Sequence, residues 1–238
     1  TEGPFDTRNT PFWDSRRGEY AIYTRGKAGS EGTFKGGVRW IRYATSPDFL
    51  NWTTQEPIEA GDTPLEHLYT NACIPYDRAP DIYLAFPSRF VPDRIPTPGW
   101  ESSGVNDIVF MSSRDGLHFD RSFMEAFVRP GLDFGNWHER GIYMERGVLQ
   151  TSPEEISLFG MEHKDLPSMR IRRYTLRTDG FVSVQAGFGG GVGRDRRHGD
   201  IRPGDRRDID DYAIFPLEHL RQHGVDAVVG TRQVDGDQ

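Results

Sequence analysis

Cysteine is nearly missing from this chain: Cys73 stands alone among 238 residues, so no internal disulfide can form. That fits a reducing compartment without fixing one, because exported proteins also manage without disulfides, and localisation stays open. Long hydrophobic runs are missing too, and no stretch approaches the roughly 18 apolar residues of a membrane span, so no membrane partner is expected. Excess positive charge is absent. With 36 acidic against 29 basic residues the net charge is −7, which offers nucleic acid no general attraction. A transition-metal site lacks its ligands, since one cysteine makes no thiolate cluster and His67, His118 and His138 share no ligand spacing. Calcium asks only for oxygen donors, so a structural Ca²⁺ stays open; no other cofactor is expected. The chain starts Thr1-Glu2-Gly3, without an initiator Met or a signal-type run, and reads as a processed or truncated segment.

What is abundant is turn chemistry. The 27 Gly and 16 Pro, with 35% hydrophobic residues, imply many short strands and few long helices. One phrase recurs. A Ser/Thr-x-Asp corner occurs at Thr45-Ser46-Pro47-Asp48-Phe49, at Ser112-Ser113-Arg114-Asp115-Gly116 and, more loosely, at Arg177-Thr178-Asp179-Gly180. Ahead of each lies an alternating strand: Tyr20 to Tyr23, Tyr83 to Phe86, and Ile156 to Phe159. A repeated sheet unit must stack on its neighbours to bury both faces. The expected fold is therefore all-β, a β-propeller of which about three blades are visible. The repeat is longer than the roughly 40 to 50 residues of the commonest propellers, leaving room for large loops at Gly26 to Gly37 and Val91 to Gly104.

The first blade is traced from about Phe5 to Glu59, with the turn Ser15 to Gly18 leading into Glu19 to Tyr23, then a strand over Val38 to Ala44. The second contains Cys73 to Tyr76, a turn at Asp77 to Pro80, Ile82 to Phe86, and Asp107 to Met111. The third runs through Gly141 to Tyr143, Val148 to Gln150, Ile156 to Phe159 and Met169 to Thr175. After Gly187 the pattern changes. Phe188 to Gly193 is glycine-rich, and Arg194 to Asp211 is dense in Arg and Asp without apolar periodicity. No P-loop Lys-Ser/Thr follows the glycines, so they read as a linker. Residues 1–187 are expected to form the propeller-like domain and 188–238 a linker with an irregular tail. Open sheet edges in a three-bladed segment predict poor stability in isolation.

The corners, with Asn51-Trp52 and Leu117-His118-Phe119 following them, and the strand openings resemble the five-bladed propeller glycoside hydrolases of families 43 and 32 over roughly Gly3 to Ala186. Measured against that resemblance the segment is two blades short. The resemblance implies a sugar-binding central depression with three carboxylates and a polysaccharide or oligosaccharide substrate.

Glycosidic cleavage needs one carboxyl group to protonate the leaving oxygen and another to act as nucleophile or to activate water. In a propeller these acids stand at equivalent strand entrances of different blades. Asp6 precedes the first strand of the first blade, and Glu139 holds the comparable place in the third. The second blade has Tyr69-Thr70-Asn71 there, so Asp107, at the start of its third strand, is the candidate auxiliary carboxylate. Each has a plainer reading: Asp6 as a surface turn residue, Glu139 as a partner of Arg140, Asp107 as a strand cap. Asn9, Trp13, Trp40, Asn71 and Trp137 are the candidate sugar contacts, the tryptophans by stacking on C–H faces, although core packing accounts for such rings equally well. Asp48, Asp115 and Asp179 are read as structural, bonding nearby backbone N–H groups. Two alternatives stand beside the hydrolase: a sialidase-like propeller using Arg39, Arg89 and Arg140 with a tyrosine, and a non-catalytic carbohydrate-binding or scaffold propeller.

Overall fold

The computed structural model describes residues 8–28, 37–95, 104–137 and 141–181. Asp6 and Glu139 lie outside them, as do the linker and tail. The described strands, all antiparallel, are β1 (Thr10–Asp14), β2 (Glu19–Ala28), β3 (Val38–Ser46), β4 (Glu56–Pro57), β5 (His67–Tyr69), β6 (Ile74–Tyr76), β7 (Ala79–Ala85), β8 (Ser88–Val91), β9 (Val105–Ile108), β10 (Met111–Ser113), β11 (Phe119–Asp120), β12 (Ile142–Met144), β13 (Leu149–Ser152), β14 (Glu155–Glu162) and β15 (Arg170–Arg177). They belong to one compact unit, and a second unit begins at Asp179.

The sheets are meanders in chain order: β1-β2-β3-β4, then β6-β7-β10-β11, then β14 flanked by β12, β13 and β15, with a short sheet β5-β8-β9 besides. The fold is all-β, and the described strands close neither a barrel nor a propeller. The first hairpin follows its sequence signals. Gly18 takes φ +69° and donates its N–H to the Asp14 carbonyl, while the buried Asp14 carboxylate accepts from the Arg16 and Arg17 amides and from the Tyr83 hydroxyl.

Two expectations need correction. The turn between β6 and β7 is only Asp77-Arg78, since Ala79 already pairs with Tyr76. The strand read across Asp107 to Met111 is also broken, at Val109-Phe110. The cause is a crease. Ser88 faces Ile108 and Ala85 faces Met111 in one continuous register, but Phe86-Pro87 and Val109-Phe110 leave the ladder between them. Proline there lacks an amide to donate, and its carbonyl is taken by the Val109 N–H at 3.0 Å. On the third strand of this hairpin the chain spends an extra residue: four steps separate Leu84 from Ser88, and five separate their partners Ile74 and Tyr69. The excess forms a bulge at Thr70 to Cys73, where Thr70 and Ala72 take positive φ. The β5-β8-β9 sheet is thus the upper half of the second meander, bent away from its lower half.

The main apolar cluster joins the first and second meanders through Tyr23, Trp40, Ile41, Leu68, Tyr83 and Met111 among others. Complete burial of a side chain such as Leu68 or Met111 contributes about 1.5–3 kcal/mol over exposure. Cys73 is fully buried here, and burial pushes its thiol pKa up, which makes it a small core residue and no nucleophile.

Candidate functional site

Three sheets bring their leading strands together at the crease. Thr10, opening β1, donates its hydroxyl to Asn71 Oδ1 at 2.6 Å, and the same oxygen accepts the Cys73 amide at 2.9 Å. Arg8, just ahead of β1, pairs with Glu145 at 2.7 Å and lies over the Tyr143 ring of β12. Ser88 of β8 donates to the Ile142 carbonyl, also on β12.

The expected sugar contacts fall in different places. Asn71 is 2% exposed and spent on bracing the bulge; Trp40 is buried in the core with its indole N–H on the Ile58 carbonyl. Neither presents a face to a sugar. Trp13 is half-exposed and packs edge-on against Tyr20, which continues to Phe49 and Trp52 in a row of T-shaped contacts. Trp137 is half-buried and donates to the Gly131 carbonyl, and Asn9 is half-buried beside Thr10.

The two faces of the β5-β8-β9 sheet differ sharply in chemistry. Leu68, Arg89 and Asp107 are directly paired neighbours on one face. There Asp107, 1% exposed, is gripped by Arg89 through two parallel bonds of 2.8 Å, and Arg94 adds a third at 2.8 Å. Arg89 also reaches Glu66 at 2.7 Å, and Arg121 bonds the other Glu66 oxygen at 2.9 Å. Burial alone would lower the Arg89 pKa, yet its hydrogen bonds to Asp107 and Glu66 raise it instead. Each carboxylate oxygen of Asp107 accepts a hydrogen bond from an arginine, so this side chain ties β8 and β9 together.

The opposite face carries His67, Tyr69, Ser88, Phe90, Asn106 and Ile108 by the alternation of the strands. Tyr69, Phe90 and Tyr143 form an aromatic wall. Arg39 lies over Tyr69 at 4.5 Å and Phe90 at 5.4 Å, and Arg25 lies over Tyr69 at 5.4 Å. Both arginines come from one face of the β2-β3 hairpin, where Lys27 directly opposes Arg39. His67 Nδ1 accepts the Arg39 backbone N–H at 3.2 Å, which leaves the ring proton on Nε2. Burial, Arg39 and Lys27 together lower the His67 pKa and keep its imidazole neutral. Arg25 and Lys27, two residues apart in β2, share this face by strand alternation, a pattern visible in the sequence.

The repeated corners are structural, as expected for two of the three. Asp48 Oδ1 accepts the Leu50 and Asn51 amides, and Asp115 Oδ1 accepts those of Leu117 and His118, each with a serine hydroxyl two residues before. Hydrogen bonds from Asn51 lower the Asp48 pKa to about 2. The residue after each aspartate takes positive φ, Phe49 in one corner and Gly116 in the other. At the third it is Asp179 itself, with φ +56°, so that turn is of another kind.

Among the described residues Asp133, Glu162 and His163 form a group with metal-ligand spacing. Arg170 already bridges it, reaching both Asp133 and Glu162, and Arg172 Nε bonds Glu162 at 2.8 Å. Guanidinium groups hold the positions a cation would neutralise.

No protein-family model matches the chain, and no curated protein matches it. Solved structures do. An N-acetylgalactosamine deacetylase from F. plautii, in complex with blood group B trisaccharide, aligns over 74% of this chain and 51% of its own, at 9% identity and a TM-score of 0.51. A glycosyl hydrolase from Bacteroides ovatus aligns over 70% of this chain and 49% of its own, at 12% identity and a TM-score of 0.38, too low to weigh. The chain spans about half the length of the structures it matches. At such identities the likeness concerns fold alone.

Proposed function

We propose that this chain is a carbohydrate-active domain of glycoside hydrolase type, built on part of a propeller, with its glycan site at the crease. One observation carries the reading: three sheets deliver their leading strands to a single place, through Thr10–Asn71, Arg8–Glu145 and Ser88–Ile142. Sites formed from the strand ends of several sheets suit a substrate that needs acids on both sides of one bond. The likeness to a solved carbohydrate-active enzyme points the same way.

In this reading Glu139 is the general acid and Asp6 the nucleophile or base. Asp6 precedes Arg8 by two residues, and Glu139 precedes Ile142 by three, so both adjoin the convergence along the chain. Asp107 takes the auxiliary role by fixing Arg89 and the β8-β9 ladder. The test is a glycan-hydrolysis screen with the native chain, Glu139→Gln and Asp6→Asn. Loss of most turnover in both variants with glycan retention preserved is the expected result. Near-normal turnover by either variant ends that residue's assignment.

A non-catalytic glycan-binding domain is the second reading, favoured by the engagement of both Asp107 oxygens by arginine. Binding without any product in the screen selects it. The sialidase-like triad has less support: Arg39 and Arg89 lie on opposite faces of the short sheet, and Arg140 is outside the described residues.

A further inference from the structure

We propose a second reactive centre in this chain: Ser168, His163 and Asp133 form a Ser-His-Asp array that hydrolyses carboxylic esters bearing a short apolar acyl group. None of the three enters the glycan reading, so either proposal can fail without the other.

The array is built by local folding. Two consecutive turns follow β14: Leu166 donates its N–H to the His163 carbonyl at 3.0 Å, and Met169 donates to the Leu166 carbonyl at 3.0 Å. Pro167 presets φ at the second position of the later turn, which puts Ser168 at its third. The chain is thereby folded back on itself. The Ser168 hydroxyl lies 2.9 Å from His163 Nδ1, while the residue itself stays exposed.

The imidazole is fixed from the other side. His163 is 6% exposed and takes φ +54°, a strained conformation for a residue with a Cβ. Its N–H meets Asn136 Oδ1 at 3.3 Å, and its ring packs on Gly135 of the 3₁₀ turn Phe134–Asn136, where a Cβ would come within 2.6 Å of Nε2. Asp133 caps that turn by accepting the Gly135 amide, and the same oxygen stands 2.9 Å from Nε2. This last contact has ion-pair distance without hydrogen-bond alignment, and catalytic contacts are commonly misaligned until substrate binds. Burial would raise the Asp133 pKa, yet the Arg170 hydrogen bond and the His163 ring beside it lower it and keep the carboxylate charged. A serine that merely braced the turns could bond a backbone group; this exposed hydroxyl is bonded to a buried base that a carboxylate backs.

A carboxylate only accepts, so the ring proton belongs on Nε2 beside Asp133, and Nδ1 is left to accept the serine hydroxyl. The two nitrogens are exchanged relative to the serine proteases, where Nε2 serves the serine; either tautomer performs the transfer. Ser168 Oγ attacks the ester carbonyl as its proton passes to Nδ1. The bond to the alcohol then breaks, the leaving oxygen takes that proton, and an acyl-serine remains. Water repeats the sequence: it gives a proton to Nδ1, the acyl–Oγ bond breaks, Oγ recovers the proton and the carboxylic acid departs. Two candidate donors serve the oxyanion. One is the Ser168 amide, which neither turn bond uses, and the other is Nη1 of Arg170, whose bonds to Glu162 and Asp133 come from Nε and Nη2. Leu166 and Met169 flank Ser168 in the turn and Phe134 adjoins Asp133, each with its apolar side chain exposed, which suits a short acyl group.

The experiment follows p-nitrophenyl acetate and butyrate hydrolysis by the full chain, and maps phenylmethanesulfonyl fluoride labelling by peptide mass spectrometry. Turnover of at least one ester is expected, with kcat/KM falling about 100-fold or more in Ser168→Ala and in His163→Gln. The sulfonyl group should be found on Ser168. Ser122→Ala, which removes an exposed hydroxyl bonded to Asp120, should leave the rate unchanged. If the buried His163→Gln fails to fold, the exposed Ser168→Ala and the site of labelling carry the test. No turnover by the native chain, turnover that survives Ser168→Ala or a folded His163→Gln, or labelling elsewhere than Ser168 each overturns the proposal.

Discussion

The two faces of the β5-β8-β9 sheet hold the same kind of side chain and use it in opposite ways. On one, Arg89, Arg94 and Arg121 are closed against Asp107 and Glu66. On the other, Arg25 and Arg39 lie flat on tyrosine and phenylalanine, with a lysine opposed to Arg39. Arginine therefore marks no function by itself. What separates the two uses is which neighbour the register sets beside the guanidinium, a carboxylate or an aromatic ring.

The largest effect should come from the closed face. Asp107→Ala leaves the Arg89 guanidinium, whose side chain is 12% exposed, without its main partner, and a loss of about 3–5 kcal/mol in unfolding free energy is expected. Denaturant unfolding reads it directly. The double variant Asp107→Ala/Arg89→Met should recover much of the loss, because the stranded charge goes with its partner. A single variant within about 0.5 kcal/mol of native stability would break the contrast between the faces.

Changes on the aromatic face should cost less. Arg39→Gln withdraws a guanidinium that lies over the Tyr69 and Phe90 rings, and a loss of about 0.5–2 kcal/mol is expected. Denaturant unfolding reads it on the same scale. A loss as large as that of Asp107→Ala would erase the difference between the two faces.

The smallest effects are in pH dependence, where two histidines oppose one another. Folding lowers the His67 pKa, so between that value and about 6.5 the unfolded chain binds the extra proton and acidification favours unfolding. His118 is raised by its hydrogen bond to Asp115, so its contribution is full below about pH 6.5 and fades as pH rises through the folded value. In Tm profiles from about pH 5 to 8, His67→Gln should flatten the acid limb and His118→Gln should remove a loss on the alkaline side. Identical profiles for the two variants would refute the assigned signs. At lower pH the Asp48 corner contributes above about 3.9 and weakens as pH falls through about 2, so Asp48→Asn should blunt the acid transition.

Much of the local structure was legible because its causes are local. The Ser-x-Asp corners close on amides two and three residues away, and alternation in Glu19 to Tyr23 and Ile156 to Phe159 marks strands buried on at least one face. The crease was not legible. Phe86, Val109 and Phe110 extend apolar strands without interruption, and only the carbonyl of Pro87 and the extra residue near Asn71 reveal the bend. Trp40 was ambiguous for a related reason: a large ring serves a core or a sugar equally well, and neighbouring sheets settle which.

By itself the sequence determined an all-β chain of short meanders, the two aspartate corners, the positive-φ turn at Gly18, and an acidic chain with a single thiol. These follow from side chains acting on backbone within a few residues. Tertiary structure alone decided that Asp107 meets Arg89 and Arg94, that Thr10 braces Asn71, and that Lys27 faces Arg39 beside an aromatic wall. Each of those depends on register between strands separated by loops, and register is fixed by the packing of whole faces.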